Sequence, residues 1–206
     1  MRLPGAAWQF PAPLLYLIFF LSGAAAILYQ LVWQRTLFTL YGTSSESVTV
    51  IVTVFMLGLG LGSLAGGALS RLAPWAPPVL FGIAELLIAA FGLASIELIQ
   101  WVGSLTPAAA GVQVGLPAFA VLLFPTLCMG ATLPLLVAYA VARSGNVGRS
   151  VGTLYFVNTL GAAAGCVAAA ALLFGLLGQA GSVRAAAATN LFAAACVLAT
   201  LLRRAR

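Results

Sequence analysis

The sequence has very little charge, and this shortage excludes a soluble fold. Only 6% of its 206 residues are charged, namely nine basic residues, all of them arginine, and three acidic residues. Soluble globular domains contain about 25% charged residues. A soluble domain of this length needs a polar exterior, and so few charged side chains cannot cover one.

The residues that most catalytic and metal sites use are also scarce. Histidine is absent, which excludes a catalytic Ser/His or Cys/His pair. Cys128, Cys166 and Cys196 lie singly within apolar runs, as buried small side chains do. The string GLGLGSLAGG (58–67) contains a GxGxxG-like spacing, but it lies inside an apolar helix and does not follow a strand. We therefore predict no metal, no cofactor and no catalytic residue in this chain.

Long apolar runs fill the sequence. Hydrophobic residues make up 63% of the chain, and the mean hydropathy is +1.14. The runs continue for about 20 residues without alternation, as membrane-spanning helices do and barrel strands do not. This predicts an all-α, polytopic transmembrane bundle of about six spans in a single domain, 1–206. The predicted spans are 13–35, 47–70, 79–101, 116–142, 151–176 and 183–202.

The arginines divide unequally between the two faces of such a bundle. One face carries both chain ends and most of the arginines, whereas the other face carries Arg35 and Arg184. Because cytoplasmic loops are rich in positive charge, this predicts cytoplasmic N- and C-termini in the cell inner membrane. Trp33, Trp75 and Trp101 lie near predicted span ends, where an aromatic belt would place them. The arginines of the first face are Arg2, Arg71, Arg143, Arg149, Arg203, Arg204 and Arg206.

Small residues recur at four-residue spacing in two of the predicted spans. Gly58, Gly62 and Gly66 form such a row in the second span, and Gly161 and Gly165 form one in the fifth. Rows of this kind allow helix backbones to approach closely, so we predict that they are helix-packing faces. The two triplets of spans echo each other in these rows and in a polar residue of the third and sixth spans. Three spans per unit would make the second unit inverted.

Glu85 is the strongest candidate for a functional residue. It lies about seven residues inside the third span, roughly 10 Å below the membrane surface at about 1.5 Å per residue. Ionisable residues at such depth face the bundle interior or a cavity. Asn158, Tyr155 and Ser63 lie at similar depths, and Asn190 is the polar residue of the sixth span. Two interpretations remain open: a site for a proton or an organic cation, or a hydrogen bond that fixes helix packing.

Two further features of the spans have ordinary explanations beside functional ones. Pro125 and Pro134 lie on either side of Gly130, which predicts a kink or a partly unwound segment in the fourth span. Broken helices line binding sites in transporters, yet proline kinks are also common in membrane bundles.

Glu46 and Glu97 lie near the outer ends of their spans, where interfacial pairing or solvation explains them.

Several segments occur in an order that points to a known family. They are LSGAAAILYQLVWQR (21–35), TVFMLGLGLGSLAGGALSR (53–71), FGIAELLIAAFGLAS (81–95), LLFPTLCMGATLPLL (122–136), GRSVGTLYFVNTLGAAAG (148–165) and Asn190-Leu191. In this order they resemble the N-terminal membrane region of the fused membrane-type spermidine synthases. These proteins join a major-facilitator-like helical region to a cytoplasmic aminopropyltransferase domain. The resemblance covers nearly the whole chain and implies half of a major-facilitator-type transporter.

The sequence departs from that family beyond the last span. In the fused members the aminopropyltransferase domain would follow there, whereas this sequence ends at Arg203-Arg204-Ala205-Arg206. We therefore expect no site for decarboxylated S-adenosylmethionine in this chain. By the same resemblance, the segment GALSR (67–71) looks like a reduced form of a loop that major-facilitator transporters use as a conformational latch.

These features are consistent with two functions. The first is a membrane module, not itself an enzyme, that anchors or scaffolds a cytoplasmic aminopropyltransferase-like partner. The alternative is a half-transporter that forms a homodimer and carries a polyamine or other small organic cation, with Glu85 as the charged contact. The lipid bilayer is a partner in both cases. Nucleic acid is a partner in neither, because the arginines are scattered singly along most of the chain.

Overall fold

The computed structural model describes residues 10–42, 44–105 and 112–205, and the regular structure within these ranges is entirely helical. The all-α prediction is therefore confirmed for the described residues. Arg2 and Arg206, which contribute to the predicted charge asymmetry, lie outside them. The elements are α1 (Ala12–Tyr41), α2 (Ser44–Leu72), α3 (Pro77–Ser104), α4 (Val112–Ser144), α5 (Val147–Ala168), a π-helical turn (Ala169–Leu173) and α6 (Phe174–Ala205).

Five segments of the described chain are long and apolar enough to cross a membrane. Four of them lie within α1 to α4, and the fifth runs from Val147 to Thr200 over 54 residues. Gly178 interrupts this fifth segment with φ 64° and ψ −169°, a backbone conformation that is essentially restricted to glycine. It lies within 176–182, where the sequence predicts a break between the fifth and sixth spans.

The glycine row of α2 lies directly against α4. A Cβ atom added at Gly58 would lie 2.0 Å from Thr126 Oγ1, and one at Gly62 would lie 2.1 Å from the carbonyl oxygen of Leu127. Gly66 continues the row against the same helix. These separations leave no room for side chains, so the two helices meet almost backbone to backbone.

The glycine row of α5 packs against α1 in the same manner. A Cβ atom at Gly161 would lie 1.9 Å from the carbonyl oxygen of Phe20, and one at Gly165 would lie 2.8 Å from that of Ala24. The residue numbers of the two helices rise together along this contact. Helix α5 therefore runs parallel to α1.

After Gly178 the chain returns along α1 in the opposite direction. Gln179 accepts a hydrogen bond from Thr36 Oγ1 at 3.3 Å, and Asn190, further along α6, accepts one from the Tyr29 hydroxyl at 3.1 Å. The residue numbers of α6 rise as those of α1 fall. Helix α6 is therefore antiparallel to α1.

The helix contacts connect the two halves of the sequence in matching pairs. Helix α2 packs on α4 and α5 packs on α1, while α3 packs on α6, α3 on α4 and α1 on α6. If α1, α2 and α3 are matched to α4, α5 and α6, the contact of α2 with α4 becomes the contact of α5 with α1. In the same way, the contact of α3 with α4 becomes the contact of α6 with α1. The contact between α3 and α6 maps onto itself. This pattern is the one expected of two three-helix units related by a two-fold axis.

Trp33 lies in the core of the bundle and not at its surface. Its side chain is fully buried, and its Nε1–H donates a hydrogen bond to Ser95 Oγ at 2.9 Å. The prediction that Trp33 belongs to an aromatic belt is therefore wrong. Helix α1 continues to Tyr41, which places Trp33 about two turns inside the helix end. The other two tryptophans of the predicted belt, Trp75 and Trp101, are exposed.

Helix α4 is continuous through its prolines, Pro117, Pro125 and Pro134. The predicted alternative of an unwound segment near Gly130 is therefore not observed. Gly130 instead packs against α2, since a Cβ atom there would lie 2.5 Å from the carbonyl oxygen of Leu59. Neighbouring helices often hold proline-containing membrane helices in this continuous form.

Gly62→Ala should destabilise the bundle, whereas Gly60→Ala should not. A methyl group at position 62 would meet the Leu127 carbonyl oxygen, and such overpacking costs about 1–3 kcal/mol. No atom lies within 4 Å of a Cβ added at Gly60, and alanine is the better helix former. Thermal unfolding of the two purified variants in detergent, followed by the helical circular dichroism signal, measures the difference. Equal melting temperatures would contradict the close contact between α2 and α4.

Candidate functional site

Three helices meet at the carboxyl group of Glu85. Ser22 Oγ of α1 donates a hydrogen bond to Glu85 Oε1 at 2.6 Å, and Asn190 Nδ2 of α6 donates one to Oε2 at 2.5 Å. The Tyr29 hydroxyl donates in turn to Asn190 Oδ1 at 3.1 Å. All four residues are buried, and Glu85 has no exposed surface. We refer to Ser22, Tyr29, Glu85 and Asn190 as the Glu85 cluster.

Two donors of this cluster bond the carboxyl group directly, and the third, Tyr29, bonds Asn190. Burial of a carboxyl group away from water is costly unless hydrogen bonds replace those that water made. Here each carboxyl oxygen accepts a bond from a neutral donor. The Tyr29 hydroxyl polarises the Asn190 amide in the same direction, which strengthens the chain of bonds. The cluster therefore stabilises the carboxyl group with neutral donors and without an arginine partner.

The parallel packing of α1 and α3 sets the positions of these donors. Ser22 lies beside Glu85, and seven residues further along each helix (22 to 29 and 85 to 92) Tyr29 lies beside Gly92. A Cβ atom at Gly92 would lie 2.4 Å from Tyr29 Cε1, so the ring fits only because this residue is glycine. Seven residues are about two helical turns, which keeps both contacts on one face.

A cavity of about 170 Å³ adjoins the cluster. Ser22 and Asn190 line it, whereas Glu85 does not. A water molecule occupies about 30 Å³ of liquid, so the cavity has room for a few waters or a small polar solute. Its other polar lining residues are Gln30, Thr132 and Asn158. The site is thus a cavity with five neutral polar residues in a mostly apolar lining, and the Glu85 carboxyl group lies behind two of them.

Asn158 reaches this cavity from α5 and is bonded to the backbone of α1. Its Nδ2 donates a hydrogen bond to the carbonyl oxygen of Phe19 at 3.1 Å. Gly23 makes room for it, because a Cβ atom at Gly23 would lie 2.2 Å from the Asn158 carbonyl oxygen. Asn158 therefore borders the same space as Ser22 and Asn190 without bonding Glu85.

Tyr155 and Ser63 lie outside the Glu85 cluster, which corrects the predicted grouping. Tyr155 is 62% exposed and follows the buried Leu154. Ser63 is exposed and follows the buried Gly62. The sequence analysis grouped both residues with Glu85 because they lie at similar depths in their spans. A shift of one position along a helix turns a side chain by about 100°, so equal depth does not imply a common face.

The sequence analysis missed Ser22 and Tyr29 as partners of Glu85. Ser22 begins a run of small residues (22–26), and Tyr29 lies near the middle of an apolar span, so neither stands out by composition. Their spacing is the signal that could have found them. Polar residues seven apart in an apolar helix lie on one face, and that face must meet polar groups of another helix.

The chemistry available to this site is limited to hydrogen bonding and to the carboxyl group. Within residues 10–42, 44–105 and 112–205, no group of three His, Cys, Asp or Glu side chains could hold a metal ion. Cys128, Cys166 and Cys196 are not in disulfides. The cluster can join helices, or it can exchange a proton with a molecule in the adjoining cavity through the Ser22 hydroxyl, which both bonds Glu85 and lines the cavity.

Together these features define an all-helical bundle compatible with a multi-pass membrane protein, with one buried carboxyl cluster and an adjoining cavity. No family model matches the chain, and no solved structure matches it. The chain is similar to polyamine aminopropyltransferase 1 of Streptomyces coelicolor, with 28% identity over 193 residues. The match covers 93% of this chain but 34% of that protein, so the chain spans about a third of its relative. This similarity is consistent with a spermidine-synthase-related family.

Asn190→Ala should destabilise the protein, whereas Glu97→Gln should not. The first change leaves Glu85 Oε2 without its donor and the Tyr29 hydroxyl without its acceptor, at a cost of about 1–3 kcal/mol. Glu97 lies on the exposed side of the same helix as Glu85, where substitutions change stability by less than about 0.5 kcal/mol. Denaturant unfolding in mixed micelles measures both effects.

A double-mutant cycle with Ser22→Ala and Asn190→Ala measures how strongly these two residues are coupled through Glu85. If both residues act through Glu85, their effects on the free energy of unfolding should not add, and the coupling should be about 0.5–3 kcal/mol. Additive effects would mean that the two hydrogen bonds are independent of each other.

Proposed function

We propose that this chain is a membrane module that holds an aminopropyltransferase-type partner at the cytoplasmic membrane surface. The observation that carries the proposal is a sequence match. It covers 93% of this chain and about a third of a protein named as a polyamine aminopropyltransferase. In this proposal the matched third corresponds to the membrane region of such proteins. The aminopropyl transfer itself belongs to the part that this chain does not match.

The geometry around Glu85 supports a non-catalytic role for the module. An acid or base that takes part in a reaction must lie within hydrogen-bond reach of the substrate. Glu85 has no exposed surface, does not line the cavity and accepts a hydrogen bond on each oxygen. In our proposal the Glu85 cluster joins α1, α3 and α6 and keeps the module in one arrangement.

We also propose that the module crosses the membrane six times. A single helix of 54 residues would extend about 80 Å at about 1.5 Å per residue, far beyond the roughly 30 Å of the hydrocarbon core. The opposite directions of α5 and α6 along α1 support two crossings in Val147–Thr200. The alternating directions of the six helices would then place Arg71, Arg143 and Arg149 at one end of the bundle. The positive-inside rule makes that end cytoplasmic, in the cell inner membrane.

Topology reporters test this arrangement. Six crossings predict that green fluorescent protein fused after Arg206 fluoresces, because it folds in the cytoplasm. They also predict that alkaline phosphatase fused at Gly178 is active, because the break at this residue faces the periplasm. A continuous fifth span would instead put the C-terminal reporter outside the cytoplasm, where green fluorescent protein would not fluoresce.

Affinity purification from native membranes tests the anchoring function. We expect an aminopropyltransferase-like protein to co-purify with the chain and to move from the membrane fraction to the soluble fraction when the chain is deleted. An unrelated multi-pass membrane protein expressed at the same level serves as the control bait. A partner that stays soluble whether or not the chain is present would argue against anchoring.

The cavity beside the Glu85 cluster favours a second candidate function, in which two copies form a carrier for a polyamine or other small organic cation. Uptake of labelled spermidine into proteoliposomes separates this alternative from anchoring. Ala162 lines the cavity and Ala163 is exposed on the same helix, so Ala162→Leu and Ala163→Leu form a matched pair. Uptake that is lost only in Ala162→Leu would favour the carrier, whereas absence of uptake in every variant would favour the anchor.

A further inference from the structure

The cavity beside the Glu85 cluster has two hydroxyl groups in its lining, and the hydrogens of both are already bonded elsewhere. The Ser22 hydroxyl donates to Glu85 Oε1 at 2.6 Å, and the Thr132 hydroxyl donates to the carbonyl oxygen of Met129 at 2.7 Å. A hydroxyl group has one hydrogen and two lone pairs. In this arrangement both groups can accept a hydrogen bond from a molecule in the cavity, but they cannot donate one.

Asn158 adds a third acceptor to the lining. Its Nδ2 donates to the carbonyl oxygen of Phe19 at 3.1 Å, which fixes the orientation of the amide. Its Oδ1 accepts no hydrogen bond within the described chain. No fully buried side-chain oxygen of the described residues lacks a partner, so this oxygen is accessible to a small molecule. A ligand at this place therefore needs hydrogen-bond donors.

Thr132 lies at the same level of the bundle as Ser22. Helices α1 and α4 run in opposite directions, because Ile18 and Phe19 of α1 belong to the same buried cluster as Leu135 and Leu136 of α4. Ser22 lies about one turn beyond the first pair, and Thr132 lies about one turn before the second pair. Both steps lead in the same direction, toward the cavity.

Gln30 lies at the other end of the cavity. Four residues line the cavity from α1, at the i, i+3, i+4 and i+7 positions of one helix face: Gly23, Ala26, Ile27 and Gln30. Gly23 contacts Asn158, and Gln30 lies seven residues, or about 10 Å, further along the helix. The Gln30 side chain makes no hydrogen bond among the residues that the structure describes. It can therefore both donate to a ligand and accept from one.

The rest of the cavity wall is apolar and includes Phe55, Leu59, Ile88 and Met129. The cavity volume is about 170 Å³. At about 30 Å³ for each water-sized group, it holds roughly six non-hydrogen atoms. The cavity thus suits a short aliphatic chain with a polar group at each end.

One acid lies behind the acceptor end of the cavity. A donor bonded to Ser22 Oγ would lie about 5 Å from Glu85 Oε1, close enough for a positive charge to be attracted. A hydroxyl that itself donates to a carboxyl group is also a stronger acceptor. Glu46 and Glu97 do not line the cavity. One carboxyl group balances one positive charge, whereas a second charge beside the neutral Gln30 would be buried without a partner.

We propose that this cavity binds a small aliphatic amino alcohol. The ammonium group lies at Ser22, Thr132 and Asn158 and supplies the N–H donors that these acceptors need. The hydroxyl group lies at the Gln30 amide, which bonds it in either direction. The proposal uses the cavity of the carrier alternative and narrows its ligand. It concerns binding, which requires neither transport nor a partner protein.

Isothermal titration of the purified chain in detergent, at constant ionic strength, tests the ligand class. The probes are 4-aminobutan-1-ol, 1-aminopentane, 1,4-diaminobutane and tetramethylammonium chloride, which are similar in size. We expect the amino alcohol to bind most tightly and each of the others about tenfold more weakly, since each loses a hydrogen bond or adds an unpaired charge. 1-Aminopentane lacks the second polar group, 1,4-diaminobutane carries a second charge, and tetramethylammonium has no N–H.

Two pairs of variants test the two ends of the cavity. Thr132→Val removes an acceptor, and Thr126→Val is its control, because Thr126 is buried in the same helix, bonds its own backbone and does not line the cavity. We expect Thr132→Val to weaken binding of the amino alcohol about tenfold and Thr126→Val to leave it unchanged. Gln30→Leu should abolish the preference for the amino alcohol over 1-aminopentane. Gln100→Leu, an exposed position outside the cavity, should preserve it.

Several results would overturn the proposal: tighter binding of 1,4-diaminobutane or tetramethylammonium, equal losses in Thr132→Val and Thr126→Val, a preference that survives Gln30→Leu, or no binding of any probe. The comparison of the four probes needs no variant, so it decides even if a variant does not fold. Binding without uptake into proteoliposomes would support the proposal and contradict the carrier. Absence of binding would overturn the proposal without affecting the co-purification test of anchoring.

Discussion

The burial of one carboxyl group constrains how the helices of this protein meet. Glu85 needs donors on both oxygens, and α1 and α6 supply them through Ser22 and Asn190. Ser22 reaches Glu85 because α1 runs parallel to α3, and Asn190 reaches it because the chain turns back at Gly178. Apolar contacts in a membrane are weakly directional, whereas hydrogen bonds depend on angle and distance. The Glu85 cluster therefore specifies an arrangement that van der Waals packing alone would leave less defined.

The symmetry of the helix contacts explains why the cluster lies between α3 and α6. The glycine rows place α2 against α4 and α5 against α1, and these contacts exchange when the two triplets of helices are matched. The contact of α3 with α6 maps onto itself, so equivalent helices meet there. Glu85 and Asn190 are two of the buried polar residues of these helices. Because Glu85 is an acid and Asn190 an amide, the two equivalent helices are joined by a hydrogen bond that Asn190 donates to Glu85.

The sequence predicts the helices much better than it predicts the faces that they turn to one another. Composition and run length suffice for the all-α fold, and the depth of Glu85 in an apolar run suffices to infer that it is buried. Rotation about a helix axis is not determined by depth, which is why Tyr155 and Ser63 lie outside the cluster. The position of Trp33 along α1 is also misjudged, because the predicted span ends at residue 35 whereas the helix continues to Tyr41. Its indole therefore lies inside the bundle and bonds Ser95. Contacts of this kind depend on two helices at once, and a single sequence reports each helix separately.

The arginines of the bundle bear on the two proposed functions. The cavity beside the Glu85 cluster has five neutral polar residues in its lining, and the carboxyl group lies behind two of them. If Arg71, Arg143 and Arg149 share one end of the bundle, a polyamine approaching that end meets a repulsive potential over the distance of a Debye length, about 8 Å at physiological ionic strength. Anionic lipid headgroups or an acidic surface of a partner protein meet an attractive one. The charge at that end therefore favours a module that holds a partner at the membrane over a carrier of cations.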